Sequence, residues 1–139
     1  MIELKILVDF SLVILIWLVQ IIIYPSFLYI DSIKFKDWHQ SYMQKISFFV
    51  IPLMFIQLGL SFFSLMKQID LLSSLHLLFI ILSWCFTFFL SVPLHQKLTE
   101  KGFDELILKK LIQTNFPRSL TWTMTCIISS ASFILSKQG

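Results

Sequence analysis

Two histidines, a tyrosine and an arginine are the residues of this chain best suited to do chemistry. His39 stands in the stretch FKDWHQSY, and His95 stands in SVPLHQKL, two residues after Pro93. Imidazole exchanges protons near neutral pH and also ligates metals and haem iron. The pair is therefore a candidate proton shuttle and, as a lesser reading, a haem or metal site. Tyr24 adds a third exchangeable proton, and Arg118 is a fixed cation suited to an anionic ligand or a lipid head group. Gln20, Gln57 and Asn115 supply amide donors and acceptors, and Trp17 and Trp122 complete the set of candidate ligand-binding residues. No HExxH run, phosphate loop or nucleophile–base pair is visible, so the sequence assigns no reaction and names no cofactor. Cys85 and Cys126 have neither metal-ligand spacing nor a disulfide framework and read as small apolar packing residues.

The elements that must position these residues are apolar helices. Of 139 residues, 57% are hydrophobic and 14% charged, and the mean hydropathy is +0.83. Soluble domains carry about 25% charged residues, so this balance points to lipid. Residues 10–30, 46–66, 71–94 and 119–136 form four runs free of Asp, Glu, Lys and Arg. Crossing a hydrocarbon core of ~30 Å takes about 20 helical residues, and a spanning segment must satisfy its own backbone groups. The expectation is one all-α transmembrane domain over residues 1–139, an antiparallel four-helix bundle with spans near 7–30, 46–66, 71–94 and 118–136. The first run is too long for a signal peptide and lacks a small-x-small cleavage site, so it is retained as a span.

The basic residues are interrupted by acids and confined to short connections, which reads as membrane topology and not as a nucleic-acid surface. Lys34, Lys36, Lys45, Lys97, Lys101, Lys109, Lys110 and Arg118 fall in the first and third connections; only Lys5, Lys67 and Lys137 fall on the other side. The positive-inside rule then puts those two connections in the cytoplasm and both termini outside. In the first connection Phe35, Trp38, Tyr42 and Ile46 recur at helical spacing, which predicts a short amphipathic helix at the interface. In the third, Asp104 is a candidate N-cap for a second one, with Ile107, Leu108, Leu111 and Ile112 on its apolar face.

Each span carries a polar stripe: Asp9, Gln20 and Tyr24; Ser47, Gln57, Ser61 and Ser64; His76, Ser83, Thr87 and Ser91; Arg118, Thr125, Ser129, Ser132 and Ser136. Single-faced stripes are what a bundle in lipid needs, with small and polar groups inward and Leu, Ile and Phe outward. Pro25, Pro52, Pro93 and Pro117 all map to the cytoplasmic half. Pro25 and Pro52 should bend their helices and Pro93 should loosen the last turn of span three, opening a cavity on that side into which His95 turns. Asp9 and His76 map to the opposite end and are expected to pair structurally.

The stretches WLVQIIIYPSF, FKDWHQSY, PLMFIQ, VPLHQKLTEKGFD and LIQTNFPRSLTW resemble, in the same order, the motifs of a family of small four-span bacterial inner-membrane proteins. The resemblance runs over nearly the whole chain and implies a four-span fold in a bacterial cytoplasmic membrane. It also implies importance for Trp17, Gln20, Tyr24, Pro25, His39, Pro52, Met54, Pro93, His95, Asn115, Arg118 and Trp122. Ile23, Gln57 and Phe116 stand where the family commonly has His, Glu and Trp. The resemblance names no reaction. A looser likeness, to anthrone-oxygenase-like four-helix membrane proteins, rests on architecture alone.

Two classes of function fit these observations. One is a cytoplasmic-side pocket for a small amphiphilic ligand such as a lipid, isoprenoid or quinone. The other is a non-catalytic membrane subunit whose stripes serve helix packing and contacts with a membrane-protein partner or a second copy.

Overall fold

The computed structural model describes residues 1–138, and four long helices account for nearly all of them. Helix α1 spans Ile2–Tyr29, α2 Phe35–Lys67, α3 Leu71–Lys101 and α4 Glu105–Gln138. Each is long and apolar enough to cross a membrane, and short connections make sequential neighbours antiparallel. Packing is most extensive where α4 meets α1 and α3; α2 lies more loosely against the other three.

Burial runs opposite to that of a soluble domain. Phe48, Phe49, Phe55, Phe62, Phe63, Phe88 and Phe89 are all at least half exposed, while Asp9, His39, Gln57, Ser61, His76, Asn115, Ser119, Thr125 and Ser129 are fully enclosed. An apolar surface around a polar core is the pattern expected of a bundle solvated by lipid. The chain is a four-helix, multi-span membrane protein by this architecture.

The two short helices expected in the longer connections are not separate elements. Phe35, His39, Tyr42, Ile46, Val50, Met54, Gln57 and Ser61 follow one another at three- and four-residue steps, so the inward face of α2 continues unbroken from connection to span. Lys36, Asp37 and Lys45 interrupt the hydropathy of this segment without interrupting its helix, because they lie on the other face. In α4, Leu108, Leu111, Asn115, Arg118, Trp122, Thr125 and Ser129 alternate steps of three and four, and all are buried. That spacing is a heptad seam. Pro117 consequently lies inside α4 and not at its start, and Pro52 lies inside α2 without ending it. Arg118, expected near a connection, is buried in the bundle and drops out of the charge count that orients the chain.

Ends and connections follow ordinary capping chemistry. Asp70 accepts a hydrogen bond from the Ser73 N–H at 2.8 Å and caps α3, and Asp104 accepts one from Ile107 N–H at 3.1 Å and caps α4. Gly102 ends α3 with φ 84°, a conformation that favours glycine.

Candidate functional site

The site begins with two prolines. Pro25 and Pro93 lack an N–H, and their rings press on the carbonyls of Ile21 and Phe89, four residues earlier. In both helices the turn just before the proline widens into a π segment, Val19–Ile23 in α1 and Thr87–Ser91 in α3. Such single-turn π segments often accompany functional sites. The effect is legible in α1's buried residues: Leu12, Ile16 and Val19 step by four and three, and the next, Tyr24, comes five later. Pro93 thus loosens the turn before it and does not end its helix, which runs on through Val92–Lys101. The two re-aimed helices bring Tyr24 and His95 together.

Tyr24 Oη lies 2.8 Å from His95 Nε2, and His95 Nδ1 lies 3.0 Å from His39 Nε2. His39 Nδ1 continues the chain to Thr99 Oγ1 at 3.3 Å. All four helices contribute to the surrounding walls. Phe27 and Phe35 pack on His39 with ring centroids 6.0 and 5.5 Å away, fixing the imidazole plane.

Tyr24 and His95 also line a cavity of about 380 Å³ beneath the loosely packed α2. This is in the size range of small-molecule pockets. Most of the wall is apolar. Ile51 and Phe55 of α2 and Phe88 of α3 line it and are themselves exposed, so its mouth lies between α2 and α3 on the apolar exterior. Its enclosed side carries Arg118 and Trp122 of α4 and Ser91 of α3.

Arg118 is the unusual member. Its Nη1 donates to Ser91 Oγ at 3.1 Å, and its guanidinium carbon sits 5.4 Å from the Trp122 ring centroid. No carboxylate forms an ion pair with it among the described residues. Its Nε and the indole Nε1 atoms of Trp122 and Trp84, another wall residue, are buried with no hydrogen-bond partner among the described residues. Each is a donor without acceptor capacity. Leaving a buried donor unpaired costs about 1–3 kcal/mol, and an uncompensated buried charge costs more.

The remaining expected site residues are held elsewhere. Trp17 Nε1 donates to Thr123 Oγ1 at 3.0 Å; Gln20 bonds the Ile112 carbonyl and receives Asn115 Nδ2 at 2.7 Å. These three tie α1 to α4 and do not line the cavity. Gln57 belongs to a second cluster toward the other end of the bundle. There its Nε2 donates to Asp9 Oδ1 at 2.7 Å, and Asp9 Oδ2 accepts from His76 Nε2 at 2.8 Å. His76 Nδ1 lies 2.9 Å from Ser61 Oγ. The Ser61–His76–Asp9 order is that of a nucleophilic triad. All three are fully enclosed and none lines the cavity, so Ser61 meets no substrate there and the cluster joins α1, α2 and α3.

Sequence reasoning missed Trp84 and Thr99. Trp84 lies off the polar stripe of its span and carried no signal, whereas Thr99 carried a usable one, lying four residues after His95. Among the described residues no group of three or more His, Cys, Asp or Glu is placed to hold a metal ion. His39 and His95 face each other directly, each occupying a ring nitrogen of the other.

No family model, curated protein or solved structure matches this chain. The family likeness therefore rests on its short motifs, and the functional reading rests on the cavity.

Proposed function

We propose that this protein binds a small amphiphile from the bilayer, with an apolar body of the lipid, isoprenoid or quinone kind and an oxygen-bearing head group. The body enters between Ile51, Phe55 and Phe88. The head group settles against Arg118, whose charge has no carboxylate partner among the described residues. The observation that carries this reading is Arg118, a buried cation with no carboxylate partner among the described residues, on the wall of an otherwise apolar cavity. A subunit whose polar residues served packing alone would have given Arg118 a carboxylate, as His76 has Asp9. The proposed setting is a bacterial inner membrane with both termini outside and the His39–His95 end toward the cytoplasm, supported by the lysines flanking that end.

The test is native mass spectrometry of the wild-type chain released from mild detergent. The expected result is a retained amphiphile, with retention reduced about tenfold, or ~1.4 kcal/mol, in Arg118→Met. Trp17→Phe, on the α1–α4 seam, should keep it. Bare wild-type protein, or equal retention in wild type and Arg118→Met at matched stability, would overturn the reading.

A further inference from the structure

The hydrogen-bond chain behind the cavity has a direction. Thr99 has one hydroxyl proton, and it is given to the His95 carbonyl at 3.0 Å. Toward His39 the Thr99 oxygen is therefore an acceptor, and His39 Nδ1 carries a proton. In a neutral imidazole the other nitrogen is then an acceptor, so His39 Nε2 receives a proton from His95 Nδ1–H. His95 Nε2 is in turn an acceptor, and Tyr24 O–H donates to it. One threonine rotamer thus orders four groups on three helices, and every bond points from the cavity toward Thr99.

Two consequences meet in the cavity. Tyr24's only proton is committed to His95, so its oxygen can offer only lone pairs to an occupant, and the matching atom is an O–H. Arg118, a cation on the same wall with no carboxylate partner among the described residues, favours an oxyanion. The groups fit an acidic hydroxyl before and after it loses its proton.

Building on the amphiphile reading, we propose that Tyr24, His95, His39 and Thr99 form a proton path from the cavity to water, and that the ligand carries an ionisable hydroxyl of the phenol or enol type. The step balances as a proton transfer without redox change. The ligand O–H bond breaks and its proton joins the Tyr24 oxygen; Tyr24's own proton moves to His95 Nε2. The Nδ1 proton of His95 moves to His39 Nε2, and the Nδ1 proton of His39 moves to the Thr99 oxygen. The Thr99 hydroxyl turns from the His95 carbonyl and releases its own proton to water. The ligand is left as an oxyanion beside Arg118, and both imidazoles are left protonated on Nε2. The reverse transfer, when the ligand is reprotonated, restores the starting tautomers. Thr99 is part-buried and adjoins exposed Glu100, whose carbonyl accepts from exposed Lys36, so the path ends at the aqueous rim. The charged and titratable groups around the path are Arg118 from α4, His39 and Tyr42 from α2, Tyr24 from α1 and His95 from α3.

An alkylated 2-nitrophenol, whose absorbance reports its ionisation, provides the probe for the full-length protein in micelles. The bound probe should ionise at a pH lower by about one unit than in empty micelles, a tenfold gain in oxyanion. After a rapid pH jump, Thr99→Val should slow ionisation of the bound probe by about tenfold or more while leaving affinity unchanged, and Thr99→Ser should restore the rate. A probe that binds yet ionises as in empty micelles overturns the hydroxyl assignment and leaves the amphiphile reading standing. Equal rates in wild type and Thr99→Val overturn the path. A probe that does not bind, with wild-type protein that also carries no amphiphile, overturns both.

Discussion

His39 and His95, 56 residues apart in the chain, lie with ring planes 23° from each other and Nε2 of one 3.0 Å from Nδ1 of the other. A hydrogen bond between two imidazoles requires that each ring aim a nitrogen along the line between them, because the N–H and the lone pair lie in their own ring planes. The 3.0 Å separation meets that need. Phe27 and Phe35 hold the first ring, and Tyr24 holds the second. His76 differs: its Nε2 faces the Asp9 carboxylate and must carry a proton. Nitrogen-resolved NMR of histidine-labelled protein, without added ligand, should find His39 and His95 neutral and protonated on Nδ1, with His76 protonated on Nε2. A proton on Nε2 of His39 or His95 would contradict the direction of the chain.

The Asp9 cluster should matter for stability and not for ligand retention. Asp9→Ala leaves His76 Nε2 an enclosed donor without its acceptor, while Gln57 Nε2 keeps only Thr125 Oγ1 at 3.3 Å. It should cost about 3 kcal/mol or more, as expected when one partner of a buried pair is removed. Asp9→Asn should cost much less. Its carbonyl can still accept from His76, and Gln57 Oε1, now unpartnered, can accept from the new amide if Gln57 flips. Reversible unfolding in mixed micelles measures both; equal losses would show that the carboxylate's charge, and not its hydrogen bonds, holds the cluster.

Much of this fold was legible in the chain, because a lipid-exposed surface leaves long uncharged runs and an inward stripe leaves periodic polar residues. The Asp9–His76 pairing and the Asp104 cap could be read for the same reason. The continuous helices could not, since hydropathy registers the charges on the outer faces of α2 and α4 and not the inner-face spacing that carries each helix through. The π segments were hidden because a proline disturbs the carbonyl four residues upstream and not its own position. Gln57 and His95 both lie on inward stripes, yet they differ in depth along the bundle, and a stripe records angle without naming the partner at each depth. Trp84 was overlooked because its place in the cavity wall depends on the looser packing of α2 against α3, which no spacing within α3 records.

Asp70 provides a pH-dependent prediction at the α2–α3 connection. The Ser73 backbone N–H bonded to its carboxylate holds its pKa below the usual carboxylate value. A depressed folded-state pKa stabilises the protein above the unfolded value, near 3.9, and that contribution is lost as the pH falls through the lower folded value. Asp70→Ala should therefore cost about 1 kcal/mol at neutral pH, with the gap to wild type closing below about pH 4. Thermal unfolding in detergent across that range checks it; a gap that persists unchanged into acid would contradict the capping role.

In the proposed orientation, Lys67 and Lys101 lie on opposite sides of the membrane. Expressed in a bacterial inner membrane, Lys67→Cys in a background lacking Cys85 and Cys126 should react with an impermeant maleimide from outside. Lys101→Cys should react only after the membrane is opened. The reverse pattern would invert the topology and put the His39–His95 end outside.

The cavity's occupant is tested most directly by an experimental density map of the wild-type protein extracted with its native lipids. The account predicts elongated non-protein density entering between Phe55 and Phe88, with its head group within ~3 Å of the Arg118 guanidinium. An α2 packed down onto α3 with no space beneath it, and Arg118 paired with a carboxylate of the protein itself, would contradict the account.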